Sequence, residues 1–185
     1  MNMSSTFLRS LIVASLLSPA AHAAWQGSAA ADYAVKATMD SFVGKVTSEP
    51  IVIADDATEV QVTFLISKMD SGKKKRDVEM QHMFHAEQHP EIVGTAQAEN
   101  LLGLQADGEV PLRLTISGVT QEVPAKISHL VRTEGKLSFT ANLEISLKSF
   151  GLKPPSIMKI INVGDLVKVT TTVELTSGAT PSPQL

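Results

Sequence analysis

Residues 137–148 read Leu-Ser-Phe-Thr-Ala-Asn-Leu-Glu-Ile-Ser-Leu-Lys, an unbroken alternation of apolar and polar side chains. A β-strand sends successive side chains to opposite faces, so a period of two marks a strand with one buried and one wet face. The same rhythm appears upstream. Val60, Val62, Phe64 and Ile66 alternate with Glu59, Gln61, Thr63 and Leu65, and Val110, Leu112, Leu114 and Ile116 alternate with Glu109, Pro111, Arg113 and Thr115. Downstream, Val167, Val169 and Val173 continue it, and weaker strand patterns lie at 29–37, 43–53, 92–104 and 119–131. The count is about eight strands.

Short turn-forming pairs separate these runs: Asp55-Asp56, Asp107-Gly108, Ser117-Gly118, Glu134-Gly135 and Gly164-Asp165. Consecutive strands joined this way form an antiparallel meander, and closing it into a barrel removes the edges that would otherwise pair with other chains. The expected fold is therefore all-β, an antiparallel eight-stranded barrel with one short helix. That helix is predicted from Lys74 to about Gln88, where Met80, Met83 and Phe84 recur at helical spacing before Pro90. The stretch from Phe150 to Asn162, with Pro154-Pro155, is expected to be a loop or short helix capping one barrel end.

The first 23 residues read as a secretory leader: Arg9 is the only charge, the apolar run passes through Leu11, Ile12, Val13, Leu16 and Leu17, and Ala21-His22-Ala23 is the cleavage motif. The run is far shorter than the roughly 20 residues of a membrane-spanning helix. Cleavage leaves 185 − 23 = 162 residues, enough for one domain over 24–176, followed by a tail over 177–185 expected to be disordered. There is no cysteine, hence no disulfide framework and no acyl anchor. The core alone must hold the fold.

Loss of Arg9 takes the formal charge from −3 to 15 − 19 = −4, which gives no general pull toward nucleic acid. One Trp, one Tyr and six Phe offer few stacking platforms. At 4% aromatic, the chain also lacks the girdles of an integral outer-membrane barrel.

Several segments form an ordered set. Asp70-Ser71-Gly72 leads through Lys73, Lys74 and Lys75 into Arg76-Asp77-Val78-Glu79-Met80, followed by His89-Pro90-Glu91-Ile92. Phe42-Val43-Gly44-Lys45-Val46, Leu114 to Thr120, Phe150-Gly151-Leu152 and Val163-Gly164-Asp165 complete it. Together they resemble the signature of the YceI-like, polyisoprenoid-binding family, over nearly the whole mature chain. The resemblance implies a lipocalin-like barrel, usually periplasmic, whose apolar lumen accommodates an isoprenoid or related, fatty-acid-like lipid chain.

Burial of such a chain gains roughly 0.8 kcal/mol per CH₂, so shape rather than polar contact would set selectivity. The candidate ligand-contacting residues are Phe64, Ile66, Met80, Met83, Phe84, Phe139, Leu143, Phe150, Ile157 and Ile160. Space for a ligand is expected at Ala30, Ala34 and Ala37 in the first strand and at Gly94, Ala96 and Ala98 in the fourth. Ordinary core packing is the competing account of all these residues, because alternation shows only burial.

Two polar clusters stand out. Lys68, Lys73, Lys74, Lys75 and Arg76 form a basic run suited either to an anionic headgroup at the barrel mouth or simply to solvent, and Arg76 with Asp77 suggests a structural ion pair. His82, His85 and His89, with Glu79 nearby, have spacing that suits a divalent metal on a helix face. They carry the alternative reading, a periplasmic metal-binding or structural, stress-related protein. Catalytic motifs are missing: there is no Cys nucleophile, Gly-x-Ser-x-Gly elbow, phosphate-cradling glycine loop or His-Glu-x-x-His, so neither an enzyme nor a cofactor is expected. A homodimer is left open.

Overall fold

The computed structural model describes residues 23–37, 41–154, 156–157 and 161–178. Residues 1–22, where a leader is expected, and residues 179–185 lie outside them, as does residue 160. The strands are β1 (Ala23–Ala37), β2 (Phe42–Thr47), β3 (Ile51–Ala54), β4 (Glu59–Leu65), β5 (Glu91–Gln97), β6 (Gly108–Ile116), β7 (Val119–Thr133), β8 (Lys136–Ser146), β9 (Ser156–Ile157) and β10 (Ile161–Ser177). Among the described residues, two α-helices interrupt them, α1 (Lys74–Met83) and α2 (Ala98–Leu102). All the pairings are antiparallel, and the sheet runs β2-β1-β10-β8-β7-β6-β5-β4, with β3 on β1 and β9 on β10.

The strongly alternating stretch that begins at Leu137 is β8, and its register explains the interior. Leu137, Phe139, Ala141, Leu143 and Ile145 face Leu175, Val173, Thr171, Val169 and Val167 of β10. Those in turn face Gly27, Ala29, Ala31, Tyr33 and Val35 of β1. Three adjacent strands therefore point one continuous apolar surface inward. In β1 it is Ala29 and Ala31 that face inward, whereas Ala30 and Ala34 are exposed and Ala37 is only half-buried. The expectation for Ala30 and Ala34 is corrected by one register step, and Ala37, though it shares the inward parity, does not line the lumen: with small residues on both faces, only Tyr33 and Val35 reveal which face turns in.

Three elements differ from their sequence reading. The stretch 43–53 is two strands, because Pro50 has no N–H for a ladder and the chain turns a corner at Ser48. Ser48 is buried there: its Oγ accepts from Ala29 N–H (2.9 Å) and its own N–H donates to Ala29 O (2.8 Å). The inward parity then switches from Gly44 and Val46 to Ile51 and Ile53. The stretch 92–104 is strand only to Gln97; Ala98 and Leu101 are buried three residues apart, and α2 folds over that end of the barrel. α1 ends at Met83 rather than near Gln88, because His85 takes a left-handed backbone (φ 53°) that reverses the chain.

The sheet curls until β4 returns to the β2–β3 corner. Among the described residues, the corner is joined there by the backbone bond from Glu49 N–H to Thr63 O (2.8 Å), beside the Lys68–Glu49 ion pair (2.6 Å). The expected closure is thus a seam rather than a full ladder. Ser117 and Gly118, both at positive φ (48° and 77°), make the two-residue turn joining β6 to β7, the hairpin geometry that glycine favours. None of the described helices is long and apolar enough to cross a membrane.

Candidate functional site

The buried residues fall into two clusters. One lies under α1 and includes Met80, Phe84, Leu114 and Ile145; the other lies toward α2 and includes Ile51, Leu101, Leu137 and Leu175. Phe64 and Leu143 pack against both. Between the walls runs a cavity of about 670 Å³, lined from α1 at one end to Leu101 of α2 at the other.

Its lining is unevenly polar. Among the described residues, the charged side chains on it, Lys73, Lys75, Arg76 and Glu79, all come from α1 and its N-cap, whereas the rest of the wall is apolar apart from Tyr33 and Thr171. The charged segment is tied down through Ser71. Asp77 Oδ1 accepts from Ser71 N–H (2.9 Å), while Arg76 donates to Ser71 O (2.8 Å) and Oγ (3.0 Å). Arg76 also lies 3.8 Å above the centre of the Phe42 ring, a cation–π contact between α1 and β2. Lys45 and Asp70 exchange backbone hydrogen bonds, 2.9 Å each, at the same place. The Asp-Ser-Gly to Arg-Asp stretch is therefore the clamp that seats α1 on the barrel end.

Of the sequence candidates, Phe64, Met80, Met83, Phe84, Phe139 and Leu143 are on the cavity wall. Ile66 and Phe150 are not: both sit in 3-10 turns just past a strand end and are buried behind the lining. The side chain of Ile157 and all of Ile160 lie outside the described residues. Gly94 and Ala96 line the cavity as expected, whereas Ala98 belongs to α2 and packs away from it. Tyr33, Phe42, Val62, Leu112 and Thr171 also line it and are not among the sequence candidates. Val62 and Leu112 stand in the alternating pattern, which marks them as inward; side-chain bulk is a poor guide to which inward residues reach the lumen.

The histidines do not converge. Among the described residues no group of three or more His, Cys, Asp or Glu side chains is placed to hold a metal. His82 and His85 are exposed, and the turn at His85 takes His89 off the helix to pack beside Gly118. Lys68 of the basic run points to Glu49, away from α1.

Tyr33 is the electrostatic exception of the wall. It is 5% exposed, and its ring stands edge-on to Phe42 (6.5 Å between centroids). A Cβ on Gly44 would lie 2.2 Å from Tyr33 Cζ and Oη, so the facing strand has glycine where the ring lies. Burial, and then the nearby Asp77 and Asp70 carboxylates, hold the phenol well above its usual range, with Arg76 opposing.

A YceI-like domain model matches residues 18–175. The chain belongs to the YceI-like domain family. Among solved structures, a polyisoprenoid binding domain from Saccharophagus degradans aligns at TM-score 0.68 and 13% identity, over 84% of this chain and 99% of that one. BcnA of Burkholderia cenocepacia aligns at TM-score 0.56 and 18% identity, over 80% and 95%. The Campylobacter jejuni YCEI protein aligns at TM-score 0.53 and 16% identity, over 96% and 94%. At these identities the shared property is the YceI-like fold. No curated protein matches the chain.

Proposed function

We propose that this YceI-like chain is exported to the periplasm, cleaved after Ala23, and carries one isoprenoid or similar long apolar chain in its lumen without transforming it chemically. The observation that carries the reading is the long apolar cavity of about 670 Å³. At about 30 Å³ per water- or methylene-sized group, that volume has room for roughly 20 such groups. Each buried CH₂ contributes roughly 0.8 kcal/mol. A chain of that length is therefore held by wall contacts alone. The charged rim on α1 suits the end of the cavity through which a ligand's head meets water.

Native mass spectrometry of the protein taken from its own exported compartment, with organic extraction of the same sample, tests this reading. One long-chain lipid per chain and an N-terminus at Ala24 are expected. A protein that is empty as isolated and takes up no isoprenoid or fatty-acid probe would overturn it.

A further inference from the structure

The helix α2 is fastened at both ends. Ala98 N–H donates to Thr58 O (2.8 Å), immediately before β4. At the other end Arg132 of β7 donates from Nε to Leu104 O (3.1 Å) and from Nη2 to Leu102 O. In the sheet β5 and β6 lie between β4 and β7, so the short helix is a strap across the end of the barrel. Arg132 reaches these carbonyls because β7 slips register between Ser128 and Val131, with His129 at φ 54°. Ala125 and Ile127 are the buried positions before the slip, whereas Leu130 and Arg132 are the half-buried ones after it, the re-aiming that a bulge produces. Leu101, 8% exposed, is the one residue of α2 on the cavity wall. Ala29, Ile53, Ala98 and Leu137 are buried in the same cluster but are not on the wall, so the lumen stops at Leu101.

We infer that α2 is the end stop of the lumen: Leu101 sets the longest apolar chain that gains from burial, at about C20, and Arg132 is the positioning residue that holds the stop in place. The inference rests on the lumen being a lipid site and adds which chain lengths it distinguishes. A cavity of about 670 Å³ takes roughly 20 methylene-sized groups. Up to that length each added carbon leaves water for apolar wall and tightens binding. A further carbon either stays in water outside the lumen or lifts α2, which breaks the Arg132 bonds and strands the Leu102 and Leu104 carbonyls. Neither adds affinity. The charged side chains on the wall belong to α1 and its N-cap, so the limit at Leu101 is one of length and not of charge.

The test uses the delipidated mature chain and displacement of a fluorescent fatty acid by linear isoprenoid alcohols of C10, C15, C20, C25 and C30. In the wild type, affinity should climb steeply from C10 to C20 and then change by less than about threefold up to C30. Leu101→Ala removes three carbons from the stop, so C25 should then exceed C20 by roughly tenfold or more. Leu101→Phe should move the break the other way and leave C20 no better than C15. Arg132→Gln should let C25 and C30 gain over C20 while C15 stays within about twofold, and Arg132→Lys should restore part of the break. Opposite shifts from one position are not produced by a general loss of stability, and Arg132→Gln carries the test if neither Leu101 variant folds. Wild-type affinity that keeps climbing through C30 overturns the inference, as does a break that no folded variant moves. If no alcohol binds the wild type, the lipid reading itself falls, an outcome distinct from the others.

Discussion

Ser48 shows how much one side chain does in this fold. Its hydroxyl accepts the Ala29 N–H at the point where β2 ends and β3 has not begun, so a buried donor on the inner strand stays satisfied through the corner. Ser48→Ala strands that donor and should cost about 1–3 kcal/mol, read as a shift of the urea midpoint at unchanged slope. Gly44→Ala puts a methyl into the Tyr33 ring and should cost about 1–3 kcal/mol. In a Tyr33→Ala background most of that cost should vanish, which a double-mutant cycle measures. Asp165 accepts from Ser146 Oγ (2.7 Å) and Lys148 N–H (2.9 Å), and chiefly the Ser146 bond holds its carboxyl below the ordinary value of 3.8. A depressed pKa stabilises the fold above the unfolded value and loses that contribution as pH falls through the folded one. Wild type and Asp165→Asn should therefore differ in stability near neutral pH and converge in strong acid; curves that stay parallel down to acid would refute this.

At the level of elements, β8 and β10 were legible because each has one face against the interior and one against solvent. Within β8 the two kinds of inward residue are physically different. Leu137 is 0% exposed and packed in the cluster toward α2, so Leu137→Ala should cost about 2–5 kcal/mol. Leu143 borders open volume, and Leu143→Trp should leave the melting point near that of the wild type while reducing binding of a C20 chain at least roughly tenfold. Loss of folding in that variant would show the waist to be packed core instead. The corner at Ser48, the helix α2 and the early stop of α1 were not legible. Each depends on a contact remote in sequence: Ala29 for the corner, Thr58 O accepting from Ala98 N–H (2.8 Å) at α2, and Ser117 Oγ donating to Phe84 O (2.6 Å) beyond α1. The histidine trio fails for the same kind of reason, since a single left-handed residue at position 85 breaks the helical spacing on which the metal reading depended.

For the whole molecule, the sheet wraps a lumen but leaves a seam held by Glu49 N–H to Thr63 O and the Lys68–Glu49 pair. That ion pair is well exposed, so Lys68→Met should change stability by less than about 1 kcal/mol. Occupancy of the lumen matters more, because a ligand that binds only the folded state, present at 100 times its Kd, adds about 2.7 kcal/mol. Heating scans with and without a C20 isoprenoid should thus separate clearly for the wild type and by about half as much or less for Leu143→Trp.

The sequence by itself determined the strand class, the inward faces of β4, β6, β8 and β10, and the ordered motifs of the family, because period-two burial and turn chemistry are local. Only the tertiary structure decided whether an inward residue packs or borders open space. Ile66 and Phe64 are two positions apart and share one pattern, yet one is buried behind the wall and the other lines it. That difference comes from the curvature of the sheet and the seating of α1 and α2 on its ends, which bring together residues that no local pattern relates.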